Sequence, residues 1–370
     1  MKLYTSLVAF VILILTLSSC NDEIKINGSA EPTAVIYAVL DPSENIHYIK
    51  VNRAFVTADN QIQTAAIADS NYFASVTGTV KEYHNGNLLR TFNLTDTLIE
   101  NKKSGVFYYP QQKVYMFKTP EGSPLIQSVG VEYRLELDIN NGEFLVHGNT
   151  ELIRDVKITY PNSSPISKYE FATVPTNPDK YRSPKVAGEY GTGSMYDLRL
   201  RVYFAEFTSA SDSTIKSFDW VLKTGDVNAG NSKVVSSQAD GKTFYELIKS
   251  NVSNNSNIVK RNLIGIDAIL TSGSQVLLDY IALSKPSSTI AQNKITYTNV
   301  TATNDRKALG IFTARTSVIL SKIENFTTNG AQLSAINKNS MRELCLGPIT
   351  GLLNFCAPSS EYQAESYHCN

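Results

Sequence analysis

Cysteine is the residue type whose placement in this chain most clearly permits chemistry. The chain has four cysteines among 370 residues. Cys20 follows an apolar run near the start, and Cys345, Cys356 and Cys369 lie close to the other end. A thiol can be lipidated, paired in a disulfide or used as a metal ligand, according to its surroundings. The four cysteines therefore define two candidate sites, one at each end of the chain.

The N-terminal cysteine ends a segment with the features of an export signal. Residues 7–17 are apolar, and this run is too short to span a bilayer as a finished helix but suits the h-region of a signal peptide. A leucine and two serines then lead to Cys20, an arrangement that looks like the lipobox of bacterial signal peptidase. We therefore predict a signal peptide over residues 1–19, cleavage between Ser19 and Cys20, and lipidation of Cys20. The alternative is an ordinary secretory cleavage site with a cysteine nearby.

The segment after Cys20 is predicted to be a tether. Residues 20–32 are polar, contain glycine and asparagine, and show no periodicity. Several acyl chains together anchor a protein stably by burying their methylene groups. A protein held in this way needs no transmembrane helix, and the sequence contains no run that predicts one. We expect a folded body held at a membrane by its lipidated N-terminus.

The three C-terminal cysteines predict one disulfide in an exported protein. Their number is odd once Cys20 is lipidated. Cys345 paired with Cys356 would close a small loop and stabilise the fold by about 2 to 3 kcal/mol. Cys369 would then be free or pair elsewhere. A zinc site made of these three thiols and His368 is the alternative.

Motifs for metal binding and catalysis are otherwise missing from the sequence. The four histidines, His47, His84, His147 and His368, have no ligand-like spacing. There is no phosphate loop, no Cys-x-x-Cys, no His-Glu-x-x-His and no Gly-x-Ser-x-Gly. We therefore predict no metal site, no cofactor and no catalytic residues. A hydrolase whose site is assembled from distant residues stays open as an alternative.

The charge balance excludes one large class of partners. The chain has 34 basic and 34 acidic residues and a formal net charge of +0. Runs of like charge do not exceed a pair such as Lys102 and Lys103. Nucleic-acid binders carry a basic patch or stripe, because affinity for DNA and RNA comes largely from phosphate contacts. We therefore predict no nucleic-acid partner.

The elements that must position these residues are predicted to be mostly strands. Twenty Tyr, fifteen Phe and many β-branched residues alternate with turn-forming Gly, Asn and Asp. Seven short strands are predicted before residue 154, with Asn85-Gly86 as a hairpin turn: residues 33–40, 46–53, 74–83, 88–94, 114–118, 131–139 and 143–153. Their number and spacing are typical of an immunoglobulin-like β-sandwich, which we place at residues 33–154.

The remainder, residues 155–370, is predicted to be a second β-rich domain with a cysteine-containing tail. Alternating or apolar runs predict strands at residues 156–160, 198–207, 218–222, 262–270, 275–283 and 308–320, and residues 244–248 are spaced like a short helix. Near the end, Ser340 followed by Glu343 has the spacing of a capping box. This predicts a short C-terminal helix that begins after Ser340.

Four stretches together resemble a known family. They are the lipobox at Cys20, Ala34-Val-Ile-Tyr, the alternating Tyr133-Arg-Leu-Glu-Leu before Asn141-Gly142, and Leu309-Gly-Ile-Phe-Thr-Ala314. Across most of residues 20–325, they resemble a family of Bacteroidota outer-membrane lipoproteins that is defined by a domain of unknown function. The resemblance implies a two-part, β-rich, surface-associated protein, often encoded beside TonB-dependent receptors. It brings no catalytic residues.

Asp22 and Glu23 also resemble the signal that sends such lipoproteins to the outer face of the outer membrane, although a solvated tether would contain the same residues.

Three functions are compatible with these features. The first, favoured mainly by the resemblance, is a non-catalytic binding or accessory subunit, lipid-anchored in the outer membrane, facing the cell exterior and serving a TonB-dependent receptor. The second is a structural or adhesive surface protein, and the third is the hydrolase with a distributed site. Fold alone does not separate them. Exposed aromatic residues such as Tyr108 and Tyr109 would be expected to contact a ligand.

Overall fold

The computed structural model describes residues 31–54, 60–105, 107–164, 166–177, 179–227, 233–253, 255–284, 297–328 and 331–369. Of these residues, 48% are in strands and 13% in helices, so the predicted mostly β class is confirmed. The predicted signal peptide and Cys20 lie outside the described residues. Within the described ranges, no helix is both long and apolar enough to cross a membrane.

The first part of the chain forms eight strands, and most begin and end close to their predicted bounds. In chain order the elements are β1 (Thr33–Leu40), β2 (Ile46–Ala54), α1 (Gln61–Ala65), a 3-10 helix (Ala68–Asn71), β3 (Val76–His84), β4 (Asn87–Asn93), β5 (Thr95–Ile99), β6 (Gln112–Lys118), β7 (Val131–Ile139) and β8 (Phe144–Thr150). Asn85 and Gly86 have φ values of 49° and 81°. These values suit the tight hairpin turn that their sequence predicts between β3 and β4.

The second part contains longer strands and three helices. Its elements are β9 (Val156–Tyr160), β10 (Lys185–Tyr190), β11 (Met195–Phe207), β12 (Ser213–Asp226), β13 (Val234–Gln238), α2 (Gly241–Asn251), β14 (Lys260–Gly273), α3 (Gln275–Ser284), β15 (Val300–Ala302), β16 (Ala308–Ile323), β17 (Phe326–Thr328), β18 (Ala331–Leu333), α4 (Lys338–Leu346) and a 3-10 helix (Ser360–Tyr362). On β11, the inward residues Leu198, Leu200 and Val202 are buried, as their alternation predicts.

One large sheet runs through both parts of the chain. Its strand order is β12-β11-β14-β16-β1-β2-β6-β5. A five-stranded sheet has the order β15-β8-β7-β3-β4, a three-stranded sheet the order β13-β10-β9, and β17 pairs with β18. Strand β16 joins the halves of the large sheet, because it pairs in parallel with β1 along residues 308–314 and antiparallel with β14 along residues 315–323.

Two hydrophobic cores lie along this sheet. The first combines residues of β1, β2, β6 and β16 with residues of the five-stranded sheet, including Tyr133, Phe144 and Phe312. The second combines β11 and β14 with the three-stranded sheet, α2, α4 and the C-terminal segment. Residues 300–314 therefore pack in the first core, although the sequence places them in the second domain. The reason is the parallel pairing of β16 with β1, a contact between distant parts of the chain.

The prediction of a strand at residues 275–283 is wrong, because this segment is the helix α3. The Ser274 hydroxyl accepts a hydrogen bond from the Leu277 amide at 3.1 Å, which is the arrangement of a helix N-cap. A short apolar run fits either a strand or a helix, and here the cap favours the helix.

The C-terminal helix is confirmed, but its predicted cap is wrong. Asn337 is the N-cap, and its side chain accepts a hydrogen bond from the Ser340 amide at 2.9 Å. Ser340 lies inside the helix, where its hydroxyl accepts hydrogen bonds from the amides of Phe171 and Ala172. Glu343 binds Tyr181 and Lys180 instead of the start of the helix. Ser340 and Glu343 therefore have the spacing of a capping box, but both contact the 169–182 segment instead of capping the helix.

A glycine allows β16 to approach β1. Gly310 has a φ of 102°, and a Cβ atom there would lie 1.9 Å from the carbonyl oxygen of Ile36. Both the backbone conformation and the lack of space exclude other residues at this position. The two halves of the large sheet therefore join where only glycine fits.

We predict that Gly310→Ala destabilises the protein by at least about 2 kcal/mol, since it adds a backbone clash to an unfavourable φ. Gly142→Ala measures the cost of the unfavourable φ alone. Gly142 has a φ of 91°, and no described atom lies within 4 Å of an added Cβ. Gly105→Ala, at an exposed position without close neighbours, serves as the control. Urea denaturation of the three variants measures the difference. A Gly310→Ala variant as stable as the Gly105→Ala control would contradict this account.

The second core contains a buried carboxyl group after the end of β16. Glu324 is 5% exposed, and one of its oxygens accepts a hydrogen bond from the Ala335 amide at 2.8 Å. Its other oxygen, Oε1, has no hydrogen-bond partner within the described ranges. Burial raises the pKa of Glu324 to about 7. The ionised form is therefore disfavoured in the folded state.

This group alone lowers stability as the pH rises. Above its ordinary pKa of 4.5 the unfolded chain loses the proton of Glu324, whereas the folded chain keeps it until about pH 7. Its contribution to the stability of the folded state therefore falls by about 3 kcal/mol between these values. The buried His47 titrates in the same range with the opposite sign, so the variant is compared with the parent chain. In urea titrations we expect the stability of Glu324→Gln relative to the parent to rise by about 3 kcal/mol from pH 4 to pH 8. Glu121→Gln, at an exposed turn, should keep the same difference from the parent at both pH values, and a Glu324→Gln variant that did so too would contradict the assignment.

Candidate functional site

The structure changes the predicted pairing of the C-terminal cysteines. Cys356 is bonded to Cys369, with a Cα–Cα distance of 5.0 Å. The predicted disulfide between Cys345 and Cys356 is therefore wrong, although one disulfide is present. A bridge between Ala357 and His368 brings Cys356 and Cys369 side by side. Cys345 is a free, buried thiol on α4, and burial raises its pKa to about 12.

The predicted zinc alternative is also not supported by this arrangement. Two of its thiols are used in the disulfide, and the third lies buried in the second core. Across the described ranges, no group of three or more His, Cys, Asp or Glu residues could hold a metal ion. Ser19 and Cys20, the predicted cleavage and lipidation residues, lie outside the described part of the chain.

Polar and apolar residues together line a groove at the C-terminal end of β1. The groove has a volume of about 430 Å³. It lies where β1 ends and β2 begins, and one residue of β16 closes its side. Its lining residues are Val39, Asp41, Glu44, Ile46, His47, Tyr48 and Arg315. This volume is in the range of pockets that hold small molecules.

Asp41 is the fixed centre of this groove. The residue is 3% exposed and follows directly on β1. One of its oxygens accepts hydrogen bonds from the amide and hydroxyl of Ser43, at 3.1 and 2.7 Å. The other accepts hydrogen bonds from Arg315 Nε and the Ser317 hydroxyl, both at 3.0 Å. The buried carboxylate is therefore fully used within the protein, and it orients the guanidinium of Arg315.

His47 lines the groove from β2, but its imidazole is buried against the first core, on the face of β2 opposite to Ile46 and Tyr48. It is 2% exposed and stacks on Phe117 with a distance of 4.7 Å between ring centroids. Burial lowers its pKa to about 4, and the nearby charge of Asp41 only partly opposes this shift. The ring is therefore neutral at pH 7. Its Nε2 atom is inaccessible to solvent and has no hydrogen-bond partner among the described residues.

The rim of the groove is exposed and chemically mixed. Tyr48 is 45% exposed and Ile46 is 37% exposed, and both belong to β2. Glu44 is exposed in the turn between β1 and β2, and Arg315 leaves 47% of its side chain exposed. The groove thus offers hydrogen-bond donors, acceptors and an apolar wall to a molecule that enters it.

Two other cavities lack this combination. One of about 360 Å³ lies on the outer face of the five-stranded sheet and is lined almost entirely by polar residues, among them Glu132, Arg134 and His147. Arg134 is paired there with Glu132. The other, of about 430 Å³, lies beside the disulfide. Of the residues that line it, Lys260 is the one lysine, and none has a carboxylate. The groove at Asp41 is therefore the strongest candidate site.

Sequence reasoning did not identify this site. Asp41 is only the residue that follows the predicted strand at residues 33–40, and His47 shares no ligand-like spacing with the other histidines. Arg315 is 274 positions from Asp41 in the chain, and no local pattern connects them. The exposed Tyr48 agrees with the expectation that aromatic residues line a site, whereas Tyr108 and Tyr109 do not line this groove.

Comparison with known proteins adds no relative. No protein-family model matches the chain, and no curated protein is significantly similar to it.

Proposed function

We propose that this protein is a lipid-anchored lipoprotein of the outer membrane, facing the cell exterior, which acts as a non-catalytic binding or accessory subunit of a TonB-dependent receptor system. The lipobox supports the anchor, and the resemblance described above supports the receptor. The observation that carries the binding role is the position of the groove. It lies at the end of β1 opposite to the end at which the tether enters.

The dimensions of β1 and the tether agree with this role. β1 has eight residues, so it separates its two ends by about 25 Å. The tether of residues 20–32 spans at most about 45 Å when fully extended. A body attached at Cys20 would stay close to the membrane, and its groove at Asp41 could face away from the anchor. A ligand or partner arriving from outside could therefore reach the groove.

We further propose an immunoglobulin-like sandwich as the unit that carries the groove. Its two layers would be the β1 half of the large sheet and the five-stranded sheet, which enclose the first core. Sandwich domains of this kind carry their binding loops at the ends of the strands. The groove lies at such an end, in the turn between β1 and β2.

We predict that Cys20→Ala abolishes lipidation, because this thiol is the proposed acceptor of the acyl-bearing group. Cells labelled with a fatty-acid analogue should incorporate label into the parent protein and into a Cys345→Ala control. The Cys20→Ala variant should stay unlabelled, and it should appear as the precursor or in the soluble fraction. Label retained by Cys20→Ala would overturn the anchor.

We also predict that the tagged full chain, purified from detergent-solubilised outer membrane, brings a TonB-dependent receptor with it. The matched control is the Cys20→Ala chain, which should not reach the same membrane and should bring down much less receptor. A tagged parent chain that is correctly lipidated but recovers no receptor, in a strain whose deletion mutant grows normally on every nutrient tested, would favour an adhesive role instead.

A further inference from the structure

We propose that the groove at Asp41 binds a small zwitterion, namely a free amino acid with an apolar side chain. Its carboxylate would bind Arg315, its ammonium group Glu44, and its side chain the wall formed by Tyr48 and Ile46. This inference rests on the proposed binding role and names the class of ligand.

The carboxylate position follows from the pairing of Arg315. Its Nε donates to Asp41 at 3.0 Å, and in the part of the chain that the structure describes Asp41 is its one carboxylate partner. A guanidinium has five donors in a planar fork. The terminal amino groups therefore remain available on a side chain that Asp41 holds in place. Such a fork binds a carboxylate through two parallel hydrogen bonds.

The charges of the groove favour a zwitterion over an anion. The lining contains two carboxylates, Asp41 and Glu44, against one guanidinium, so its net charge is negative. A simple anion would be attracted by Arg315 but repelled by this net charge. A zwitterion adds no net charge and can place each of its groups beside an opposite one. The apolar wall of Val39, Ile46 and Tyr48 then selects an apolar side chain.

The test is isothermal titration calorimetry on the full mature chain in detergent. The probes are leucine and phenylalanine, followed by N-acetyl-leucine, which lacks the ammonium group, and leucinamide, which lacks the carboxylate. We expect at least one free amino acid to bind saturably. For leucine, each of the two modified forms should bind at least tenfold more weakly, because each loses one charged contact.

Variants assign the binding to this groove. Glu44→Gln should weaken leucine binding at least tenfold and remove the preference for leucine over N-acetyl-leucine, and Tyr48→Ala should weaken leucine binding. Both residues are exposed, so both variants should fold, which circular dichroism checks. Glu121→Gln is the control and should bind like the parent. Arg315→Gln is less suitable, because it leaves the buried Asp41 without its ion pair.

Several results would overturn the inference. They are no saturable binding of leucine or phenylalanine, equal binding of leucine and its modified forms, or binding of glucose in preference to both amino acids. The last result would indicate a neutral polyol site, and the first a groove that holds water only. These experiments need no receptor and no membrane. A failure here therefore leaves the lipid anchor and the receptor association to be judged by their own tests.

Discussion

The fold depends on one strand that pairs differently along its two halves. Residues 308–314 of β16 lie parallel to β1, and residues 315–323 lie antiparallel to β14. This strand makes one sheet of two halves that would otherwise each have an unpaired edge, and unpaired edges favour association with other chains. Arg315 lies where the pairing changes, and so it reaches Asp41 at the end of β1. The same pairing that joins the two cores therefore also completes the groove.

The elements predicted correctly are those whose signals are local. The alternation of β7, the apolar run of β1 and the Asn85-Gly86 turn each specify a structure from neighbouring residues alone. The strands β1 and β2 are predicted in the same way, each from the residues of its own run. By contrast, the pairing of Ala34 with Ala308 has no local signal. The return of residues 300–314 to the first core could not be predicted for this reason.

The errors at the C-terminus have the same origin. Cys345 was paired with Cys356 because the two are close in sequence, but α4 directs Cys345 into the second core, and the bridge at Ala357 places Cys356 beside Cys369. In the same way, Ser340 has the spacing of a helix cap, yet its hydroxyl accepts hydrogen bonds from the amides of residues 171 and 172. Spacing indicates which contacts are feasible, and tertiary packing decides which ones form.

The same distinction separates a structural polar cluster from a binding one. Glu206 is 2% exposed and accepts hydrogen bonds from Arg261, Ser253 and Lys216, at 2.9, 2.7 and 2.6 Å. Although burial alone would raise its pKa, these bonds lower it to about 2. Arg261 in turn binds the carbonyl oxygen of Leu353, so this network holds the C-terminal segment against β14. Because no atom of Glu206 or Arg261 is left buried without a partner, the network needs no ligand.

The groove at Asp41 differs from that network in the feature that matters for binding. Its carboxylate is fully paired within the protein, but much of the Arg315 side chain faces solvent. A cluster that is satisfied internally stabilises a fold, whereas a guanidinium that is held in place with exposed donors can bind a further group. These donors lie at a strand end, where an incoming molecule can reach them without disturbing the sheet.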